Sequence, residues 1–253
     1  MVAKIILSVK SLRKVYSDRA VVNDISFEVE AGEIFGILGP NGAGKTTTLE
    51  MIETLRSIDG GQIILDGINV AKNPQKIRTI IGVQLQASAF MDKVKLTELL
   101  EMTAAAYGEK VNPSEFLKDV SLEDKADSYF EKLSGGQRQR FSIAAALVHN
   151  PRVFFMDEPT TGLDPQARHN LWDLIRQIQA KGITVILTTH YLEEAELLCH
   201  RVAIMDDGKI IALASPKELI RQLLDRGFKK TQQVEDASLE DVFIDLTGKE
   251  LRD

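Results

Sequence analysis

Apolar and polar positions fall into short extended runs over the first third of the chain. Residues 4–10 and 25–30 read as strands, and the second ends at the turn residues Glu30, Ala31 and Gly32. Glu33 to Leu38 is a mostly apolar run that stops at a glycine-rich loop. Gly61 to Val70 reads as a hairpin, with Asp66-Gly67 suited to a type I′ turn. Between about residues 93 and 150 helical spacing takes over, as in TELLEMTAAAY and SEFLKDV. Alternation then resumes with a strand over Val153–Met156, a helix over Pro165–Lys181 and a strand over Thr184–Thr189. In that helix Leu171, Leu174, Ile175 and Ile178 share one face, Pro165 suits the first turn, and Gly182 suits the stop. A second hairpin, Arg201 to Leu213, turns at Asp207-Gly208. The pattern predicts an α/β sheet core with an N-terminal antiparallel β part and a helical insertion. Its expected boundaries are 1–86 and 151–230 for the core with its β part, and 87–150 for the insertion. Residues 231–253 form an acidic tail in which Leu239, Val242, Phe243 and Leu246 recur at the spacing of one helical face. Ser238 suits the N-cap, Glu240 and Asp241 the first turn, and Gly248 the stop. So short a helix needs a surface to dock on, either its own core or a second protomer.

Composition narrows the class. At 253 residues, 44% hydrophobic and 27% charged, the chain is long enough to bury its own core. The longest unbroken apolar run, Ile143 to Val148, is far too short to cross a bilayer. The opening MVAKIILSVK carries only a brief apolar run, which reads against a secretory signal, and a cytosolic compartment is the expectation. A single cysteine, Cys199, excludes an internal disulfide framework and cysteine-rich metal sites. The tail holds seven of the 37 acids and two of the 31 bases, so the body is nearly neutral. Bulk charge therefore gives no hint of nucleic-acid binding.

The strongest local feature is GPNGAGKTT, formed by Gly39, Pro40, Asn41, Gly42, Ala43, Gly44, Lys45, Thr46 and Thr47. It follows a predicted strand and opens a predicted helix, the context a phosphate-binding P-loop requires. Glycines let successive N–H groups turn inward on phosphate oxygens, and the helix N-terminus adds its positive end. Lys45 should neutralise the β- and γ-phosphates, and the Thr46 hydroxyl should hold Mg²⁺. A chance match has odds of about 1 in 100 in a chain this long. The partner for Mg²⁺ should be an aspartate ending an apolar strand, and VFFMDEP supplies Asp157. Glu158 follows directly, placed to orient or deprotonate an attacking water. The bland alternative, a surface acidic pair, fits poorly behind the apolar VFFM.

LSGGQRQR, Leu133 to Arg140, then precedes an apolar helical stretch. Ser134 suits an N-cap, and its glycines leave the helix start open to an anion. With this segment the sequence resembles the ATP-binding subunits of ABC transporters over nearly its whole length, with motifs in the family's order. The resemblance implies the P-loop ATPase fold of that family, ATP and Mg²⁺ as ligands, and two subunits sandwiching two ATP molecules head to tail. Ser134, Gly135, Gly136 and Gln137 would then face a γ-phosphate across the interface. Tyr16, 23 residues before Gly39, resembles the aromatic that stacks on adenine, although a tyrosine ending a strand is more often simple packing. His190, closing TVILTTH, resembles the family's switch histidine; His149, His169 and His200 read as structural or solvated. Asp164 in TGLDP matches the D-loop at the dimer interface and also suits an N-cap for the helix beginning at Pro165. IGVQLQ holds two glutamines, and the family's spacing after the glycine selects Gln86 over Gln84 as the residue touching Mg²⁺ and water. Two departures stand out. His200 replaces what is more often an acid, and Ala87 to Lys95 is idiosyncratic in the region that resembles the permease-facing surface.

The reading that follows is an ATP-hydrolysing motor subunit on the cytoplasmic face of a membrane. It would act through a separate multi-spanning permease and pair as a homodimer or pseudo-symmetric heterodimer. The tail SLEDVFIDLTGKELRD resembles the C-termini of ATPases serving type-2 exporters, including multidrug-resistance systems, which favours export over import. The competing class is a soluble ABC ATPase acting on ribosomes or DNA. Such relatives usually carry two cassettes or a long coiled-coil or basic insertion, which this chain lacks, so no nucleic-acid partner is expected. A P-loop kinase or GTPase leaves LSGGQ unexplained.

Overall fold

Residues 5–30 form one long hairpin, β1 (Ile5–Tyr16) and β2 (Arg19–Glu30), rather than the two short strands the pattern predicts. Its inner face carries a lysine: Lys14 is buried between Leu12 and Tyr16, and its ammonium binds Asp59 at 2.9 Å and Ser57 at 3.2 Å. A charged residue at an inward position hides the alternation, and the positive φ of Ser11 and Asp24 interrupts the pleat. The computed structural model describes residues 4–84, 90–228 and 239–247.

Next come β3 (Ile34–Leu38), α1 (Lys45–Ile52), β4 (Gly60–Leu65), β5 (Ile68–Asn69), α2 (Pro74–Arg78) and β6 (Ile81–Gln84). The β4–β5 turn has Asp66 at φ 45° and Gly67 at φ 78°, the two positive values a type I′ turn needs. The helical segment holds α3 (Leu96–Ala106), α4 (Pro113–Asp119) and α5 (Gly135–Leu147). Then follow β7 (Val153–Asp157), α6 (Pro165–Ala180), β8 (Thr184–Thr189), α7 (Leu192–Leu198), β9 (Arg201–Asp206) and β10 (Lys209–Ala214). α8 (Pro216–Asp225) and α9 (Leu239–Thr247) come after them. The hydrophobic pattern marks none of α2, α7 and α8. Only α8 has a strong local signal, a capping box in which Ser215 and Glu218 each satisfy the other's backbone N–H.

Two sheets result. An antiparallel sheet runs β2-β1-β4-β5, and a six-stranded sheet runs β10-β9-β3-β8-β7-β6, parallel except for the edge strand β10. The larger sheet is covered on both faces, which is why its central strands read as continuous apolar runs. Ile34, Leu38, Phe154, Met156, Val185 and Leu187 point into a core shared with α3, α5 and α6. Their neighbours Phe35, Ile37, Val153, Phe155 and Ile186 point the other way, onto α1 and the antiparallel sheet. In α6 the four residues of the predicted face are buried, joined by Trp172. Helix α9 packs on α7 and α8 of its own chain. Val242 is fully buried there, and Asp245 pairs with Arg226 at 2.8 Å. Ser238 and Gly248, its expected caps, lie outside the described residues.

Candidate nucleotide site

Strand order brings the sequence motifs together. β8 lies between β3 and β7, so the loop after β3, Asp157 at the end of β7 and His190 just past β8 meet at one edge, where ligands of parallel sheets collect. The loop is as tight as its glycines suggest. A Cβ on Gly39 would stand 2.1 Å from the Met205 carbonyl oxygen, and one on Gly44, at φ +100°, would stand 2.4 Å from that of Val21. Among the described residues no side chain caps α1, so its first N–H groups are left for an anion.

Lys45 is buried and turned back over its own loop. Its ammonium donates to the carbonyls of Gly39 (2.9 Å) and Pro40 (3.2 Å) and pairs with Glu158 Oε1 at 3.2 Å. The Thr46 hydroxyl donates to both oxygens of Asp157, at 3.1 and 3.0 Å. Thr188, opposite Asp157 across the β7–β8 pair, donates its hydroxyl to Asp157 Oδ1. The same Thr188 oxygen accepts the Glu158 N–H at 3.0 Å. Glu158 sits at φ 47°, a left-handed conformation that costs an L-residue roughly 1–2 kcal/mol. Thr188 holds that strained residue in place. Inside an apolar strand its hydroxyl is the signal that could have marked it.

Glu158 Oε2 lies 3.2 Å from His190 Nδ1, close enough for charge but not aligned as a hydrogen bond. Burial alone would raise the Glu158 carboxyl, yet Lys45 and His190 outweigh it and hold the group below its usual range. The His190 ring leans on Tyr191 with centroids 4.1 Å apart. Tyr16 ends β1 and is 38% exposed, enough to offer a face of its ring. Its hydroxyl accepts from Arg56 at 3.0 Å, and Arg56 is itself held by Glu50. Gln86 lies outside the described residues. Gln84 closes β6, buried, with no partner for its Oε1 among the described residues.

The LSGGQ segment stands elsewhere. Ser134 caps α5 through a reciprocal box with Gln137 (3.3 and 2.9 Å), and Asp164 caps α6 through the Ala167 N–H at 2.9 Å. These residues line a cleft of about 280 Å³ with Gly135, Gly136 and Gly162, and none of the P-loop residues lines it. One strut reaches from α5 to the site: Gln139 donates to the carbonyl of Pro159, directly after Glu158, at 2.7 Å. Motif spacing carries no sign of that contact.

Thr46 and Asp157 offer hard oxygen donors in contact with each other and leave most of a coordination shell to water and phosphate oxygens. That donor set fits Mg²⁺.

Residues 22–161 match a family model described as ABC transporter. The chain is 43% identical over 221 residues to the Nod factor export ATP-binding protein I of Ralstonia nicotianae, covering 85% of this chain and 68% of that protein. It is 44% identical over 216 residues to the protein of the same description from Paraburkholderia xenovorans, covering 83% and 70%. Among solved structures, one described as the ATP-binding subunit of an ABC transporter superposes with a TM-score of 0.81 at 31% identity, covering 96% of this chain and 99% of that one. CbiO1 from Clostridium perfringens, described as part of an ABC transporter complex, gives 0.75 at 30% identity, covering 88% and 95%.

Proposed function

The chain belongs to the ATP-binding subunits of ABC transporters, which are ATPases working with Mg²⁺, and from that premise we propose that it drives export through a separate membrane permease. The observation that carries the proposal is the meeting of Lys45, Thr46, Asp157, Glu158 and His190 at one sheet edge. Relatives named for export and the exporter-like tail support the direction of transport. No helix among the described residues is long and apolar enough to cross a membrane, and we place the subunit on the cytoplasmic face, held there by its permease. The proposal includes the division into a core (1–86 and 151–230), a helical insertion (87–150) and an acidic tail (231–253).

In this reading the loop Gly39–Thr47 wraps the phosphates with backbone N–H groups, and Tyr16 stacks on adenine, a contact worth about 1–3 kcal/mol. Thr46 and Asp157, with Gln86, would hold Mg²⁺, which when bound neutralises charge on the phosphate oxygens. Lys45 leaves Glu158 and the Gly39 and Pro40 carbonyls for the β- and γ-phosphates. Losing that cation raises the basicity of Glu158, which then takes the proton of the attacking water, while His190 contacts the γ-phosphate. Ser134, Gly135, Gly136 and Gln137 of a second subunit, beside Asp164, close the site from above. The separation of the LSGGQ cleft from the P-loop group within one chain supports that two-subunit arrangement.

Glu158→Gln tests it. The variant should bind Mg-ATP normally and lose about 10²–10⁴-fold in turnover, the usual share of a general base. Near-native turnover in the purified variant would remove Glu158 from its role.

A further inference from the structure

Glu194 is a carboxylic acid with no exposure to solvent, on a helix the sequence pattern does not mark. Side chains of this type are almost never fully buried without a purpose for their oxygens. Oε1 accepts the indole N–H of Trp172, from α6, at 3.1 Å. The hydroxyls of Thr189 and Thr160 lie beside the carboxyl, and the charge of Arg168 reaches it from one turn before Trp172. Thr189 already accepts the Tyr191 N–H at 2.9 Å, which leaves its own hydroxyl proton to give. Oε2 of Glu194, Oγ1 of Thr160 and Nε of Arg168 are buried, and among the described residues none of the three closes a full hydrogen bond. The Arg168 guanidinium lies 4.7 Å over the ring of Tyr191, which in turn supports His190.

The neighbours of this carboxyl are significant for where they sit. Thr189 directly precedes His190, Thr160 follows Glu158 by two positions, and Arg168 stands one helical turn beyond Asp164. We propose that Glu194 is a positioning residue for ATP hydrolysis, clamping the His190 turn to helix α6 so that His190 keeps its place beside Glu158. It touches no reacting atom and acts through the His190 turn, and the inference rests on the role given to His190 above. Burial pushes the Glu194 carboxyl up, against its hydrogen-bonding neighbours and Arg168. A glutamine keeps the shape and an acceptor oxygen for the Trp172 N–H, and should serve nearly as well.

The test is a double-mutant cycle in the purified full-length protein, with kcat counted per nucleotide-binding site by titration with a fluorescent ATP analogue. Glu194→Ala should lower kcat about tenfold or more with KM within about twofold, and Glu194→Gln should restore kcat to within about threefold of native. In a His190→Ala background Glu194→Ala should cost no more than about twofold further, because the group it positions is gone. Equal losses in both backgrounds, or native kcat in Glu194→Ala, would overturn the proposal. Trp172 is the only tryptophan, so an emission spectrum unchanged by Glu194→Ala would overturn it as well. Should Glu194→Ala fail to fold, Trp172→Phe decides: it removes the indole donor, and kcat should fall about threefold or more, whereas native kcat defeats the clamp. Native turnover in His190→Ala alone would instead defeat the role of His190. The two failures are thus distinguishable.

Discussion

Glu53 shows how far one residue can depart from what its type suggests. It caps the C-terminal end of α1, is 4% exposed, and is pushed up to about 8 by burial, with Asp157 and Glu50 adding to the effect. Below pH 4.5 folded and unfolded chains both carry the proton and the group costs nothing. Between pH 4.5 and 8 the unfolded chain ionises while the folded one keeps its proton, so stability falls by about 1.4 kcal/mol per pH unit. Glu53→Gln removes that dependence. In EDTA and without nucleotide, its melting temperature should exceed the native value by more at pH 8 than at pH 5. Equal differences at the two pH values would show that Glu53 is ionised in the folded protein. The burial of Glu53 is not legible in the sequence, because it depends on which distant segments close over α1, and the Thr188 hydroxyl acquires its role only when β7 is laid beside β8.

At the scale of elements, α9 is the clearest case of order imposed by packing. Nine residues make a helix that is marginal alone in water, and its acidic composition favours solvent. What holds it is Val242, buried among α7 and α8, with Leu246 half-buried beside it and Asp245 paired to Arg226. Val242→Asp places an unpaired carboxylate on that apolar contact, at a cost of several kcal/mol by the general price of burying a charge. Thermolysin should then cleave within residues 239–247 at the rate of an unfolded peptide, while ATP binding persists. Equal resistance in native and variant protein would mean that Val242 does not anchor the helix. The stripe of apolar residues was readable from spacing alone. The choice of its own chain as the docking surface was not.

The arrangement of the whole molecule separates two half-sites. Lys45, Thr46, Asp157, Glu158 and His190 form one group, and Ser134 to Gln137 with Asp164 form another, with no shared lining. Ser134→Arg should therefore spare ATP binding by the isolated subunit and prevent ATP-driven pairing. Light scattering on Glu158→Gln with ATP should report a dimer, and on Glu158→Gln/Ser134→Arg a monomer. A dimer in both would remove Ser134 from the interface.

Short-range chemistry alone determined the P-loop, the LSGGQ and D-loop caps, the two Asp-Gly turns and the buried face of α6. Each depends on neighbours within a few positions: glycines that permit φ +82° at Gly42 and +100° at Gly44, a serine or aspartate that reaches its own helix N–H, apolar residues three and four apart. Tertiary structure decided the rest. Strand order put β8 between β3 and β7 and so set Glu158 against both Lys45 and His190. Long-range pairing extended the first hairpin through a buried lysine, and the core closed around Glu194. Such contacts depend on which faces are buried together, and that is fixed only when distant segments exclude water from one another.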